Sequence, residues 1–410
     1  MVQRAIFLVL ASFATVSLCA PQPGGSQQFL AQQALSDVLD RASPIAGTGF
    51  SFQAYFLQLL TENLKGIDNG CSKSSKTCDW MARLPDSTEL VHMNLPGTHD
   101  TSTWNYTEEN QAALVRYTGP IPDAEVFRCQ EHSILQSLNE GIRVFDLRVA
   151  YNPGNDTIGF YHSQALLSPT TRVEDVFFAL YNWLDKHSTE AVLVSINHEG
   201  GTGTPEDAAF YVKLYNIFNT PLAQKYWVQT NGTLGTLGQA RGKLTLLQRW
   251  SYDLLPANLT KRIGIPLDPQ HWTDNGKVIE LVYNVARSQI AYIEARIFDF
   301  YSIAPTIPLG SGALAYIDAK FDAVTAHLEN ATRTDLHPDQ LYISFASAAF
   351  IDDTPPMTPE IFASGNGTDV QGMNERLLPW LKARKGQRFG IIMFDFYDAV
   401  PGLIEAAIGL

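Results

Sequence analysis

Five side chains in this 410-residue sequence have the types needed to move protons around a phosphate, and each lies at or near the end of an apolar run. His99 and Asp100 follow "NLPGT", Arg148 lies with Asp146 in "RVFDLRVAY" (143–151), His162 ends "TIGFYH" (157–162), and Asp395 lies near the end of "FGIIMFDF" (389–396). Taken singly, each has a structural reading: a strand-end histidine is commonly a hydrogen-bonded packing residue, and an Arg–Asp pair a structural ion pair. Brought to one place, two histidines, an arginine and two aspartates are the parts of phosphoryl transfer. One histidine serves as base, the other as acid, and the guanidinium grips phosphate oxygens.

Bringing them together is the work of the elements that carry them. Strand-like runs include "LVHMNL" (90–95), 143–151, 157–162, "AVLVSIN" (191–197), "KLTLLQ" (243–248), "VIELVY" (278–283) or "ARIFDFY" (295–301), "LYISFA" (341–346) and 389–396. Helical periodicity lies between several of them, as in "RVEDVFFALYNWLDKH" (172–187). That alternation predicts an α/β protein: a single, irregular (β/α)8-type TIM barrel with a mostly parallel sheet. In such a barrel the chemistry gathers at the C-terminal ends of the strands, which is where the five residues fall. Residues 71–410 are expected to form the barrel and 21–70 an N-terminal arm, weakly helical near 27–41 and without catalytic content.

Residues 1–20 carry Arg4, an apolar run and small residues, the pattern of a secretory signal peptide. Six acceptor sequons, at Asn105, Asn155, Asn231, Asn258, Asn330 and Asn366, agree with a secreted, extracellular glycoprotein. In an oxidising compartment "CSKSSKTC" reads as a short Cys71–Cys78 disulfide loop, leaving Cys129 over and buried. The net charge is −13, one more negative once Arg4 leaves with the signal. It argues against nucleic-acid partners and against electrostatic adsorption to an anionic bilayer.

"LPGTHDTSTW", "GIRVFDLRV" and "FYHS" resemble the phosphatidylinositol-specific phospholipase C X-domain family, in particular its secreted fungal phospholipase-C-like phosphodiesterases, which also carry a Cys-x6-Cys loop before the first histidine. The resemblance runs from about 71 to 400 and is weaker in the second half, around "GIPLDPQHWTDNG" and "IIMFDFYD". It implies that His99 removes the inositol 2-hydroxyl proton, with Asp395 orienting the imidazole. Arg148 would stabilise the phosphate, and His162, assisted by Asp100, would protonate the departing glycerol oxygen. The product would be a cyclic inositol phosphate. The implied partner is an inositol phospholipid or phosphodiester, reached by a monomer in transient contact with a membrane surface.

No cofactor is expected. Calcium-dependent animal members have carboxylates where this chain has Arg148 and Asn197, and calcium needs several hard oxygen ligands. Bacterial members often have a lysine near 197, so Asn197 departs from both patterns. Further substrate contacts are expected from Arg249, which also reads as a surface cation, and from Asp299 and Tyr301 in "FDFY"; His198 and Glu199 read as loop residues without a catalytic role. Two rival functions are a metal-dependent glycerophosphodiesterase or sphingomyelinase-D-like enzyme, and a non-catalytic secreted barrel that binds glycan or lipid.

Overall fold

Apolar runs bounded by turns form strands here because both of their faces are covered, and in Ala191–His198 the first six residues are all buried. The computed structural model describes residues 23–48, 71, 75–272, 278–294, 307–308, 310–351, 353–367 and 369–410. Its strands are β1 (Leu95–Thr98), β2 (Val144–Tyr151), β3 (Ile158–His162), β4 (Ala165–Leu166), β5 (Ala191–His198), β6 (Lys243–Arg249), β7 (Ile265–Pro266), β8 (Ile279–Asn284), β9 (Gln289–Glu294), β10 (Leu341–Phe345) and β11 (Ile391–Phe394). They run across the sheet in the order β7-β6-β5-β2-β1-β11-β10-β9-β8. From β7 to β9 every neighbour is parallel, and β8 returns antiparallel to β9. The sheet is thus a nearly closed α/β barrel of the TIM type. Its ends, β7 and β8, share no ladder among the described residues. The Asn284 side chain reaches across from β8 to the Gly232 carbonyl at 2.7 Å, beside the bridge that joins Asn231 to Gly264.

Three sequence expectations change. Residues 90–92 of "LVHMNL" form a 3-10 turn, and the strand begins only at Leu95. Within it, position 97 is too crowded for a side chain: a Cβ on Gly97 would sit 2.5 Å from Met393 Sδ and 2.8 Å from Val144 Cβ. His162 does not end a barrel stave. It ends β3, which pairs antiparallel with β2 and then with β4, off the barrel path. The arm is a helix over Pro23–Ala46, longer than 27–41. Its Leu39, Ala42, Ile45 and Ala46, spaced three or four apart on one face, are buried. Arg41 pairs with Asp175 at 2.9 Å, and the Ile45 carbonyl accepts from Trp104 Nε1 at 2.8 Å.

Near the strand entrances, the fully buried Arg143 spends all its donors. Nε and Nη2 donate to Glu190 Oε2 at 3.0 and 2.6 Å, Nη1 to the carbonyls of Leu138 and Ile142, and Nη2 also to the Cys78 carbonyl. Cys78 is disulfide-bonded to Cys71, and Cys129 is free and buried. Among the described residues no helix is long and apolar enough to cross a membrane. Residues 1–20, the alternative strand 295–301, and Asp299 and Tyr301 lie outside the described residues.

Candidate active site

Register decides which side chains meet. Thr98 pairs with Phe394, so the next residues, His99 and Asp395, leave adjacent strands side by side, and His99 Nδ1 lies 3.0 Å from Asp395 Oδ1. Asp146 pairs with Ser195, while Arg148, Asn197 and Arg249 form one row across β2, β5 and β6. Because side chains alternate with period two, 146 and 148 share a face, as do 195 and 197. The β3 hairpin then swings His162 back over this face, where its Nε2 comes within 3.3 Å of Asp100 Oδ2.

Three residues with side chains take left-handed backbone at or just after these positions: Asp100 (φ 39°), Ser163 (φ 50°) and Phe396 (φ 40°). Such conformations cost about 1–3 kcal/mol each and persist only where the surroundings over-determine them. Each is tied by its N–H: Asp100 to Asp146 Oδ2 at 3.4 Å, Ser163 to Glu199 Oε1 at 2.6 Å, and Phe396 to the Cys129 carbonyl at 3.0 Å. Gln130 adds a brace, donating to the carbonyls of His99 and Phe394 at 2.7 and 2.9 Å. Asn374 donates to the carbonyls of Asp395 and Phe396.

The two histidines have opposite surroundings. His99 Nδ1 faces Asp395, while its Nε2 faces an obligate donor, Arg148 Nη2 at 2.8 Å, with Asp100 Oδ2 beside it at 3.1 Å. A guanidinium has no lone pair to offer, so Nε2 must be the bare nitrogen and Nδ1–H must donate to Asp395. This is a neutral ring with its lone pair aimed at the mouth. Burial, followed by the charges of Arg148, His162, Arg249 and Lys320, holds its pKa well below the usual histidine value. Burial, followed by the nearby Asp100 charge, raises Asp395 well above the usual carboxylate range. His162 instead faces two acceptors, the Phe127 carbonyl at 2.7 Å from Nδ1 and Asp100 Oδ2 at Nε2. Donation from both nitrogens would satisfy them, which is the pattern of an imidazolium. The site can therefore take a proton at one ring and give one from the other.

Arg148 sits among carboxylates: its Nε is 2.8 Å from Asp100 Oδ1 and 3.4 Å from Asp146 Oδ2, and Nη1 is 3.7 Å from Glu199 Oε1. The guanidinium occupies the ground that a hard cation would need between Asp100 and Asp146. Burial alone would raise Asp146, but Arg148 and Arg249 bring it below the usual value. Burial keeps Glu199 raised despite Arg148.

Arg249 is not a surface cation. It is largely buried, donates to Asp146 Oδ1 at 3.0 Å, and its guanidinium lies 3.9 Å from the centroid of the Trp272 ring. Trp272 packs edge-on against Phe345, and Phe345 against His99, so one aromatic wall runs from Arg249 to the neutral histidine. Asn197 donates to the His198 carbonyl at 3.3 Å, while its Oδ1 is buried without a hydrogen-bond partner among the described residues.

Comparison with known proteins agrees with this architecture. The model of the family "Phosphatidylinositol-specific phospholipase C, X domain" matches residues 123–250, the stretch that holds Asp146, Arg148, His162, Asn197 and Arg249. A 1-phosphatidylinositol phosphodiesterase of Listeria monocytogenes is 28% identical over 185 residues, 45% of this chain and 53% of that protein. Residues 123–250 are thus similar to the X domain of phosphatidylinositol-specific phospholipase C. A second 1-phosphatidylinositol phosphodiesterase, from Staphylococcus aureus, is 21% identical over 68% of this chain and 77% of its own length. A PI-PLC X domain-containing protein 1 of Danio rerio is 26% identical over 36% of this chain and 55% of its own length. The chain thus spans about half the length of the Listeria and Danio relatives. Among solved structures, a mutant phosphatidylinositol-specific phospholipase C from Staphylococcus aureus superposes with TM-score 0.60 over 82% of this chain and 98% of its own, at 21% identity. The Listeria monocytogenes enzyme superposes with TM-score 0.54 at 20% identity, over 80% of this chain and 98% of its own. At these identities the superpositions speak to the barrel alone.

Two contributors escaped the sequence reading. Glu199, expected in a loop, braces Ser163 and faces Arg148. Its signal was present in "SINHE": Ser195, Asn197 and Glu199 put a polar residue at every second position of a run whose other face is Ile196 and His198. His198 is the strand's last residue, packed edge-on against Phe210 and 3.6 Å from Glu206. Gln130 lies in the long β1–β2 connection, where no periodicity marks it.

Proposed function

We propose that this chain cleaves phosphatidylinositol, or a related inositol phosphodiester, by intramolecular attack. His99 Nε2 takes the proton of the inositol 2-hydroxyl, and that oxygen forms a bond to phosphorus. Arg148 turns from His99 to the phosphate oxygens, where its planar fork stabilises the charge that builds up. The bond from phosphorus to the glycerol oxygen breaks as His162 delivers a proton to it, leaving diacylglycerol and a cyclic inositol phosphate. Asp395 orients His99 and stabilises its imidazolium form; Asp100 holds the proton on His162. Asn197 and Arg249 contact inositol hydroxyls. The enzyme acts after export, in transient contact with the lipid surface that presents its substrate, and without a metal.

The observation that carries this reading is the asymmetry of the two histidines: Arg148 donates to His99 Nε2, whereas His162 faces two acceptors, the Phe127 carbonyl and Asp100. The names of the Listeria and Staphylococcus relatives support the choice of substrate. Incubation with phosphatidylinositol and with glycerophosphoinositol, followed by phosphorus NMR, tests it. A five-membered cyclic phosphate is the expected first product. A linear phosphomonoester formed without a cyclic precursor, or no turnover of either compound, would overturn it.

A further inference from the structure

One ligating side chain at the barrel mouth has no part in the proton relay. Cys129 is a free thiol, fully buried in the connection between β1 and β2. Its backbone is pinned on both sides: its N–H donates to Thr103 Oγ1 at 2.9 Å, and its carbonyl accepts from Phe396 at 3.0 Å. The Sγ makes a long contact to the Phe127 carbonyl, 3.6 Å away, and lies beside the Thr103 side chain. A ring nitrogen of His99, a carboxylate oxygen of Asp100 and Cys129 Sγ all lie within 4.8 Å of one another. Asp395, whose charge bears on the same thiol, keeps its Oδ2 buried and without a hydrogen-bond partner among the described residues.

Sulfur, imidazole nitrogen and carboxylate oxygen in one buried cluster form a donor set for a borderline or soft cation. Zinc and cadmium take such ligands tetrahedrally, whereas calcium and magnesium require an oxygen shell. With metal–ligand bonds of roughly 2.0–2.3 Å, donors of a tetrahedral site stand roughly 3.3–3.8 Å apart. Closing from 4.8 Å therefore needs about an ångström, within reach of a cysteine rotamer change and a tilt of the His99 ring.

We propose that the mouth is an inhibitory site for zinc-like cations, bound by His99, Asp100 and Cys129. The incoming cation replaces the thiol proton, which is released to solvent, and the fourth position is filled by water or Asp395 Oδ2. Bound there, the cation occupies His99 and withdraws Asp100 from His162, so it competes with substrate. The inhibitory consequence rests on the reading of His99 as base; the binding site does not.

The test uses the full chain in thiol-free, chelator-free buffer, titrated with cadmium chloride and zinc chloride. Wild type should develop the ultraviolet charge-transfer band of a cadmium–thiolate bond at about one cadmium per chain. Cys129→Ala and Cys129→Ser should lack the band and, in phosphatidylinositol turnover, keep basal activity while requiring at least about tenfold more zinc for half-inhibition. The two substitutions guard against a folding defect in either, since serine preserves the size of the side chain. The band needs no activity, so it judges the site even if phosphatidylinositol proves not to be the substrate. Absence of the band in wild type, its persistence in both variants, or unchanged zinc sensitivity in active variants would overturn the proposal.

Discussion

Asp100 stands between the two histidines, its Oδ2 3.1 Å from His99 Nε2 and 3.3 Å from His162 Nε2. Since His99 Nε2 accepts from Arg148, the carboxylate is left to His162, and its removal should harm the acid more than the base. Asp100→Asn and His162→Ala should each lose on the order of 10²–10⁴-fold in turnover of phosphatidylinositol. The loss should shrink on an inositol phosphate with a nitrophenol leaving group, which departs without a proton. His99→Ala should be equally damaged on both substrates. Equal losses for His162→Ala on both would remove it from the acid role.

His99 also sets a pH signature. A base must be neutral to act, and burial with the surrounding cations holds this ring's pKa well below 6.5. The acid limb of kcat/KM should accordingly lie below the ordinary histidine range, with activity falling only as pH drops well under 6.5. A limb centred at or above 6.5 would contradict the neutral resting state.

Arg148 distinguishes this site from one built on a metal. Arg148→Lys keeps the charge but loses the fork that meets Asp100, Asp146 and His99, so turnover should fall by roughly 10²-fold or more while thermal stability changes little. EDTA should not lower wild-type activity, and millimolar calcium should not raise it. Loss of activity in EDTA with recovery in calcium or magnesium would favour the metal-dependent rival.

How much of this site could be read beforehand follows from how each residue is positioned. His99, Asp395, Asp146 and Arg148 lie on or just past barrel strands, where periodicity of two and the strand ends suffice to place them. Arg249 was ambiguous because a cation ending a strand looks alike whether it points to water or to Asp146. His162 ends the expected strand, but a short apolar run cannot reveal that its partner is the antiparallel β2 and that it is not another barrel stave. The brace from Gln130 and the Phe127 carbonyl depends on how a long connection folds back, and nothing local encodes that. The arm was underestimated for a related reason. Its first half is exposed at Phe29 and Leu30, which blurs the helical stripe, while Leu39 to Ala46 is buried against the barrel.

Export can be checked by mass. Five sequon asparagines, Asn155, Asn231, Asn258, Asn330 and Asn366, are exposed, whereas Asn105 is half-buried with its carbonyl accepting from Asn110. Protein from a eukaryotic culture medium should lack residues 1–20 and carry glycan at several of the five, with Asn105 the least occupied. A cytosolic, unglycosylated chain that retains its first twenty residues would refute secretion.

Arg143 and Glu190 should govern stability without touching the chemistry. Both are fully buried, and removing one partner strands a charge that has no water to turn to. Glu190→Ala should destabilise by about 3–5 kcal/mol. KM and the pH profile of the surviving folded fraction should stay at wild-type values, because the pair lies at the strand entrances, away from the mouth. A change in KM or pH profile at full folding would mean that the entrances and the mouth are coupled.

His327 should dominate one part of the acid sensitivity of the fold. It is buried on the helix Gly312–Thr332, its Nδ1 2.8 Å from Ser344 Oγ of β10, and burial, followed by the charge of Lys320, lowers its pKa from 6.5 to about 3. In the unfolded chain this ring binds a proton below about pH 6.5; in the folded chain it resists until about pH 3. Its folded pKa is the lower one, so the stability associated with keeping it neutral is present above 6.5 and is lost as pH falls toward 3. Each pH unit in that window costs at most about 1.4 kcal/mol from this group. His327→Asn keeps a side chain that can bond Ser344 but cannot titrate. It should show a shallower fall of denaturation midpoint between pH 6.5 and pH 4 than wild type, whatever its stability at pH 7. Parallel curves for the two proteins would show that His327 is not protonated on unfolding in that range, and would place the acid sensitivity on the carboxylates alone.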